Sequence, residues 1–224
     1  MTDPIRIDVW SDIACPWCYI GKRNLEAGLK ATADDDDAPR VEVTFHSYEL
    51  SPDTPVDFHG NEVDFLAEYK GMPHDQVRQM LDRVTGVAAE AGLDYHFEKL
   101  QHTNTVLAHQ LLHFAKEQGL QREMTERLMA AYFVEGHHVG RIDDLVTLAA
   151  EVGLDADAAR EALESDRYLE AVEADRAQAT AYGINAVPFF VIDERYGVSG
   201  AQPPEAFAQI ARQVWAERQG AETA

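Results

Sequence analysis

Apolar and polar residues alternate along Ile5-Arg6-Ile7-Asp8-Val9-Trp10, the period of a strand that buries one face. Ser11-Asp12-Ile13-Ala14 leads out of it, and Pro16 then stands where a first helical turn tolerates a missing N–H. From there to about Ala33 good helix formers continue, interrupted by Gly21 and Gly28, and a second strand is expected over Val41-Glu42-Val43-Thr44-Phe45. Near the far end the pattern predicts a helix near Tyr168 to Tyr182, strands at Phe189 to Ile192 and Tyr196 to Ser199, and a helix from Pro204 to about Arg218. The stretch between, from about Gly60 to about Asp166, reads as almost entirely helical. Leu107, Leu111, Leu112 and Phe114 recur at helical spacing after Asn104-Thr105 and stop at Gly119. Met124, Leu128, Met129, Ala131 and Tyr132 repeat the pattern up to Gly136, and Leu145, Leu148 and Ala149 repeat it before Gly153.

The candidate chemistry sits at the junction of the first strand and first helix. Cys15-Pro16-Trp17-Cys18 holds both cysteines of the chain. A structural zinc site takes four Cys or His ligands, and no second cysteine pair exists to complete one. Two inert buried thiols would be the plain reading, since free Cys packs as a small hydrophobe. The spacing and the helix start favour reactivity. Cys15 faces the unpaired N–H groups and positive end of the helix, which favour the attacking thiolate. Cys18, one turn on, is placed to close a disulfide or to resolve a mixed disulfide held on Cys15. Trp17 either shields that disulfide or contacts substrate, and its plain alternative is a surface-to-core anchor.

Gly183-Ile184-Asn185-Ala186-Val187-Pro188 runs directly into the apolar strand Phe189-Phe190-Val191-Ile192. Proline cannot donate to a sheet ladder but is tolerated at a strand's first residue. On local grounds this is a helix-to-strand connector.

Taken together, these segments make the chain resemble the thioredoxin superfamily, in its DsbA-like branch that includes FrnE-type proteins and 2-hydroxychromene-2-carboxylate isomerases. The resemblance is carried by Asp12 to Gly21, Phe45-His46-Ser47-Tyr48-Glu49-Leu50-Ser51-Pro52-Asp53, Asn104-Thr105, Ala131-Tyr132-Phe133-Val134-Glu135-Gly136 and Gly183 to Val191, in the family's order. It implies an α/β thioredoxin fold with a large inserted all-helical subdomain: residues 1–59 and 167–224 form the thioredoxin-like domain and 60–166 a helical cap. It also implies that Pro188 is a cis-proline facing the cysteines, that Val187 offers backbone groups to substrate, and that Cys15 and Cys18 cycle between dithiol and disulfide. Asn104 is carried over as a substrate-side residue, with an N-cap of the following helix as its alternative. The glutathione-dependent isomerases generally carry serine where this chain has Cys15, so redox chemistry is favoured over isomerisation. A non-catalytic peptide-binding or chaperone module is the third reading.

Charge narrows the partners. A net charge of −21, from 40 acidic against 19 basic residues, argues against nucleic acid and anionic membranes. The expected partners are protein or small-molecule thiols and disulfides. Asp34-Asp35-Asp36-Asp37 reads as a solvated loop. The acid-rich, lysine-poor balance fits either a salty cytoplasm or a base-composition bias. Met1-Thr2-Asp3-Pro4 runs straight into the first strand without a signal-like segment, which predicts a cytoplasmic protein. No metal is expected: His109 and His113 lie four apart on a predicted helix, but no third ligand stands near in sequence. No cofactor is implied, glutathione being at most a co-substrate, and the sequence leaves the oligomeric state open.

Overall fold

The alternation at the start of the chain becomes β1 (Ile5–Ser11), an inner strand of a sheet ordered β2-β1-β3-β4. The computed structural model describes residues 3–33, 35 and 38–222. β2 (Val41–Ser47) runs parallel to β1, while β3 (Phe189–Ile192) pairs antiparallel with β1, and β4 (Tyr196–Ser199) antiparallel with β3. β2 extends two residues beyond the expected Phe45, because Trp10 and Ser11 continue the parallel register against His46 and Ser47. Ile5, Ile7 and Val9 fill one face with Phe45, Phe190 and Ile192, under Leu25 of α1 (Pro16–Lys30) and Phe207, Val214 and Trp215 of α9 (Pro204–Glu222). α1 stops short of Ala33. Thr32 Oγ donates to the Leu29 carbonyl at 2.8 Å, and such local bonding competes with helix continuation. Of the acidic run, Asp34, Asp36 and Asp37 lie outside the described residues, and Asp35 pairs with Arg212 at 2.7 Å.

Between β2 and the last crossover run α2 (Glu62–Lys70), α3 (His74–Glu90), α4 (Val106–Glu117), α5 (Gln121–Ala130), α6 (Ile142–Glu151) and α7 (Ala156–Glu164), with α8 (Leu169–Ala181) leading back to the sheet. α5 passes into a π-helical turn at Ala131–Glu135. Ala131, Tyr132 and Phe133 of this turn are all buried. The predicted stripes on α4, α5 and α6 meet in one large core with Ile13, Tyr19 and Ile20 of the first unit.

Polar contacts fasten the helices to the sheet. β2 is an edge strand, and Gln121 pairs with both backbone groups of Phe45, at 3.0 and 2.8 Å, as a neighbouring strand would. Lys22, 2 % exposed, reaches from α1 to Glu126 of α5 at 2.6 Å, with the Tyr19 hydroxyl donating to the same carboxylate. On the second face of the sheet, Asp175 of α8 accepts from His46 at 2.7 Å and from the Ser47 N–H at 2.8 Å, and lies 3.1 Å from His113 of α4. His46 bridges on to Asp8 at 2.9 Å and stacks on Trp10, whose indole donates to the Asp175 carbonyl.

Two predictions follow from this packing. A Cβ at Gly28 would lie 2.4 Å from the Pro204 carbonyl and 2.8 Å from Phe207 Cβ, so G28A should lower stability by about 1–3 kcal/mol in urea unfolding. G86A on α3, where a Cβ meets nothing, should be neutral or stabilising by up to about 1 kcal/mol. The second concerns pH. Burial opposes the charged form of His46, but its bonds to Asp175 and Asp8 outweigh that and raise its pKa. That contribution is complete below the unfolded histidine value of about 6.5 and is lost as pH rises through the higher folded value. Burial likewise works to raise Asp175, yet His113, His46 and the Ser47 N–H hold it well below the carboxylate range, so its contribution disappears only in acid. D175N should therefore cost about 3–5 kcal/mol, and its deficit should shrink towards the alkaline side of urea titrations run between about pH 5 and about pH 8.

Candidate active site

Cys15 caps α1 in an extended conformation (φ −95°, ψ 113°), with Pro16 as the first helical residue. The Cys15 N–H donates to the Asp12 carbonyl at 3.3 Å and the Cys18 N–H to the Cys15 carbonyl at 3.0 Å, so the four-residue loop is a single tight turn into the helix. Both cysteines are buried free thiols, while Trp17 is 41 % exposed beside them. Burial pushes the Cys18 thiol well up, and the adjoining Cys15 sulfur pushes it further. Cys18 is thus held protonated behind a partner at the helix terminus.

The Val187–Pro188 peptide is cis, and Pro188 is buried against α1. A Cβ on Gly21 would stand 2.9 Å from Pro188 Cγ and 3.3 Å from Phe190, so glycine permits the close approach that brings the helix start to this loop. Across it the Cys15 thiol makes a weak contact to the Val187 carbonyl at 3.8 Å. On the opposite side Tyr95 donates to the Pro16 carbonyl at 2.8 Å. Burial, then the nearby Cys15 sulfur, raises the Tyr95 hydroxyl far above the usual tyrosine range, which keeps it a donor.

A buried carboxylate supports the turn from beneath. Asp12 accepts from the N–H of Ala14 (3.2 Å), the N–H of Leu50 (2.7 Å) and the Thr105 hydroxyl (2.9 Å). His109 Nε2 approaches it at 3.4 Å. Burial works to raise Asp12, but His109 and the two N–H groups outweigh it and the net shift is downward. Glu49, beside this cluster, is shifted upward by burial despite His109 and an Arg176 contact at 3.3 Å. None of these roles was readable from the sequence. Asp12 and Glu49 fell within recognised segments without an assigned task, and Tyr95 carried no local signal.

A cavity of about 390 Å³ opens beside Cys15, Pro16 and Trp17 and extends under α2 and α3. Its walls are largely apolar, with Glu62 and His102 as a buried pair at 2.8 Å. Asn104 does not line it, although Thr103 and Thr105 do. The Asn104 side chain instead accepts from the Val106 N–H and donates to the Pro52 carbonyl, both at 2.8 Å; the N-cap of α4 is Thr105, so Asn104 stands one residue before the cap expected of it. His109 and His113 are divided between the Asp12 and Asp175 clusters. Among the described residues no three His, Cys, Asp or Glu side chains are grouped to hold a metal, and no helix is long and apolar enough to cross a membrane.

Comparison with known proteins agrees with this geometry. The family model of the DSBA-like thioredoxin domain matches residues 6–211. The chain is 31 % identical over 209 residues to the uncharacterized protein YwbO of Bacillus subtilis (strain 168), covering 91 % of this chain and 94 % of that one. The crystal structure of a probable DsbA oxidoreductase from Streptomyces coelicolor superposes with a TM-score of 0.86 at 39 % identity, over 95 % of this chain and 91 % of that chain. The cytosolic disulfide reductase DsbM of Pseudomonas aeruginosa, solved with GSH, shares the fold at a TM-score of 0.65 and 20 % identity, over 93 % of this chain and 98 % of that chain. A tight Cys15-to-Cys18 turn at a helix start, a facing cis-proline loop and a family model spanning nearly the whole chain lead to one conclusion: this chain belongs to the DSBA-like thioredoxin domain family.

Proposed function

We propose that this protein is a thiol–disulfide oxidoreductase acting through Cys15 and Cys18. The observation that carries the reading is the pairing of two different sulfur environments: Cys15 at the helix terminus against the Val187 carbonyl, and Cys18 buried and held as a thiol behind it. In the reductive direction the Cys15 thiolate attacks one sulfur of a substrate disulfide. The substrate S–S bond breaks, one substrate thiolate leaves, and a Cys15–substrate disulfide forms. Cys18 then loses its proton and attacks Cys15, which releases the second substrate thiolate and leaves a Cys15–Cys18 disulfide, two electrons having passed to the substrate. The oxidative direction is the same sequence reversed.

Residues 60–166 act in this reading as a cap over the redox site, supported by the Tyr95 bond to Pro16 and by the α2–α3 wall of the cavity. The backbone of Val187, half-buried beside Cys15, would offer an extended substrate its pairing edge, and Pro16 and Trp17 would shape the approach. A cytoplasmic setting, where thiols are kept reduced, would favour a resting dithiol and the reductase direction. The cytosolic reductase DsbM, solved with GSH, makes a small-molecule thiol a reasonable recycling partner.

The reduction potential is the decisive measurement. Equilibration in graded glutathione buffers should show a reversible two-electron transition, near about −270 mV for a reductase and near about −120 mV for an oxidant. C15S should abolish insulin disulfide reduction with an unchanged circular-dichroism spectrum, and C18S should accumulate a substrate mixed disulfide visible by mass. If no intramolecular disulfide formed at any poise, and C18S kept full activity with glutathione, the glutathione-dependent isomerase reading would replace this one. Aggregation suppression that survived loss of both cysteines, without any redox activity, would point to a chaperone.

A further inference from the structure

Ser11 ends β1 where the strand's own pattern calls for an apolar residue. Ile5, Ile7 and Val9 enter the core shared with Leu25 of α1, and alternation puts Ser11 next on that face, beneath the start of the helix. Its backbone is fixed there by the Ser47 pairing on β2 and by the Tyr48 N–H, which donates to the Ser11 carbonyl at 3.1 Å. The residue is 5 % exposed, and its Oγ is buried with no hydrogen-bond partner among the described residues. A buried hydroxyl left unpaired costs stability, and an alanine would avoid that cost.

The hydroxyl faces Cys18. Two consecutive turns, closed by the Cys15 N–H on the Asp12 carbonyl and by the Cys18 N–H on the Cys15 carbonyl, fold the chain back so that the Cys18 sulfur rests against Ser11 and Asp12. Burial, then Cys15, holds the Cys18 thiol up, whereas the Asp12 N–H and the Ser11 hydroxyl favour its thiolate. The titratable groups around the sulfur are otherwise engaged. Cys15 opposes a second negative charge, Tyr95 directs its proton to the Pro16 carbonyl, and the Asp12 carboxylate is occupied by Ala14, Leu50, Thr105 and His109.

We propose that the Ser11 hydroxyl, together with the Asp12 N–H, is a donor pair for the thiolate that appears on Cys18 when the mixed disulfide is resolved. A serine hydroxyl rotates to donate without giving up its own proton. A donor already in place where charge develops needs no rearrangement at that moment. The inference rests on the redox reading above and assigns a further residue to its second step. There the Cys18 sulfur bonds to Cys15 while the Cys15–substrate S–S bond breaks. The substrate sulfur leaves with the electron pair of that bond and takes up the proton that Cys18 lost, and Ser11 is unchanged.

The test separates the two steps. Reduced protein is mixed with excess bis(2-hydroxyethyl) disulfide and quenched in acid at intervals. Mass spectrometry then follows the 2-mercaptoethanol adduct on Cys15 and the Cys15–Cys18 disulfide. In S11A the adduct should form at the wild-type rate and close about tenfold more slowly, so that it accumulates. In parallel, carbon-13-labelled cysteine reports the Cys18 Cβ resonance in C15S and in C15S/S11A, and the titration midpoint should lie about one pH unit higher without the hydroxyl. Equal closure rates with an unmoved midpoint, or a slowing of both steps together, would overturn the inference and leave the redox reading standing. A wild type that formed neither adduct nor intramolecular disulfide would overturn both.

Discussion

The site depends on how closely α1 can approach the rest of the thioredoxin core. At Gly28 the helix lies against the start of α9, and at Gly21 against Pro188 and Phe190 of the sheet, with distances to a hypothetical Cβ that no side chain could occupy without movement. Those two contacts set the axis of α1, and the axis sets where its N-terminus points. Cys15 meets the Val187 carbonyl because the helix is pressed onto Pro188, in the loop before β3, at Gly21. A helix displaced outward by one methyl group would still carry both cysteines but would face a different surface.

The second constraint is electrostatic. The chain buries several charged side chains near the site and does not leave them isolated: Asp12 has three donors and His109, Lys22 has Glu126 and Glu26, and Asp175 has two histidines and a backbone N–H. Buried pairs of this kind add little net stability against apolar replacements, yet breaking one is expensive. Their effect is to tie segments far apart in sequence. Asp12 joins the turn before Cys15 to the loop after β2 and to the start of α4, and Lys22 joins α1 to α5. The helices α4 and α5 are thereby registered on the same turn that carries Cys15 and Cys18.

Much of this was legible in the chain itself. The two-residue alternation of β1, the helix start at Pro16 and the apolar stripes of α4, α5 and α6 appear where the pattern places them, because each is decided by local backbone chemistry and by which face must be dry. The ends were less legible. β2 gains two residues from pairing with β1, and α5 passes into a π-helical turn that the apolar spacing does not announce. Asn104 shows the same limit at the site: read as a substrate-side residue or as a cap, it stands one residue before the cap Thr105 and bonds the Val106 N–H and the Pro52 carbonyl.

By itself the sequence determined the Cys15–Cys18 spacing at a helix start, the order of the strands and of the helices flanking them, and the family. Those properties reside in spacing: two sulfurs one turn apart at a helix start, and a proline at the mouth of a strand, need no knowledge of what lies across from them. Only the tertiary structure decided the environments. That Asp12 is buried and bonded, that Tyr95 holds the Pro16 carbonyl from about eighty residues away, and that Phe65 and His102 line one cavity with Cys15 are outcomes of packing between segments with no sequence proximity. Burial and hydrogen bonding depend on distances in space, and a local pattern contains none of them.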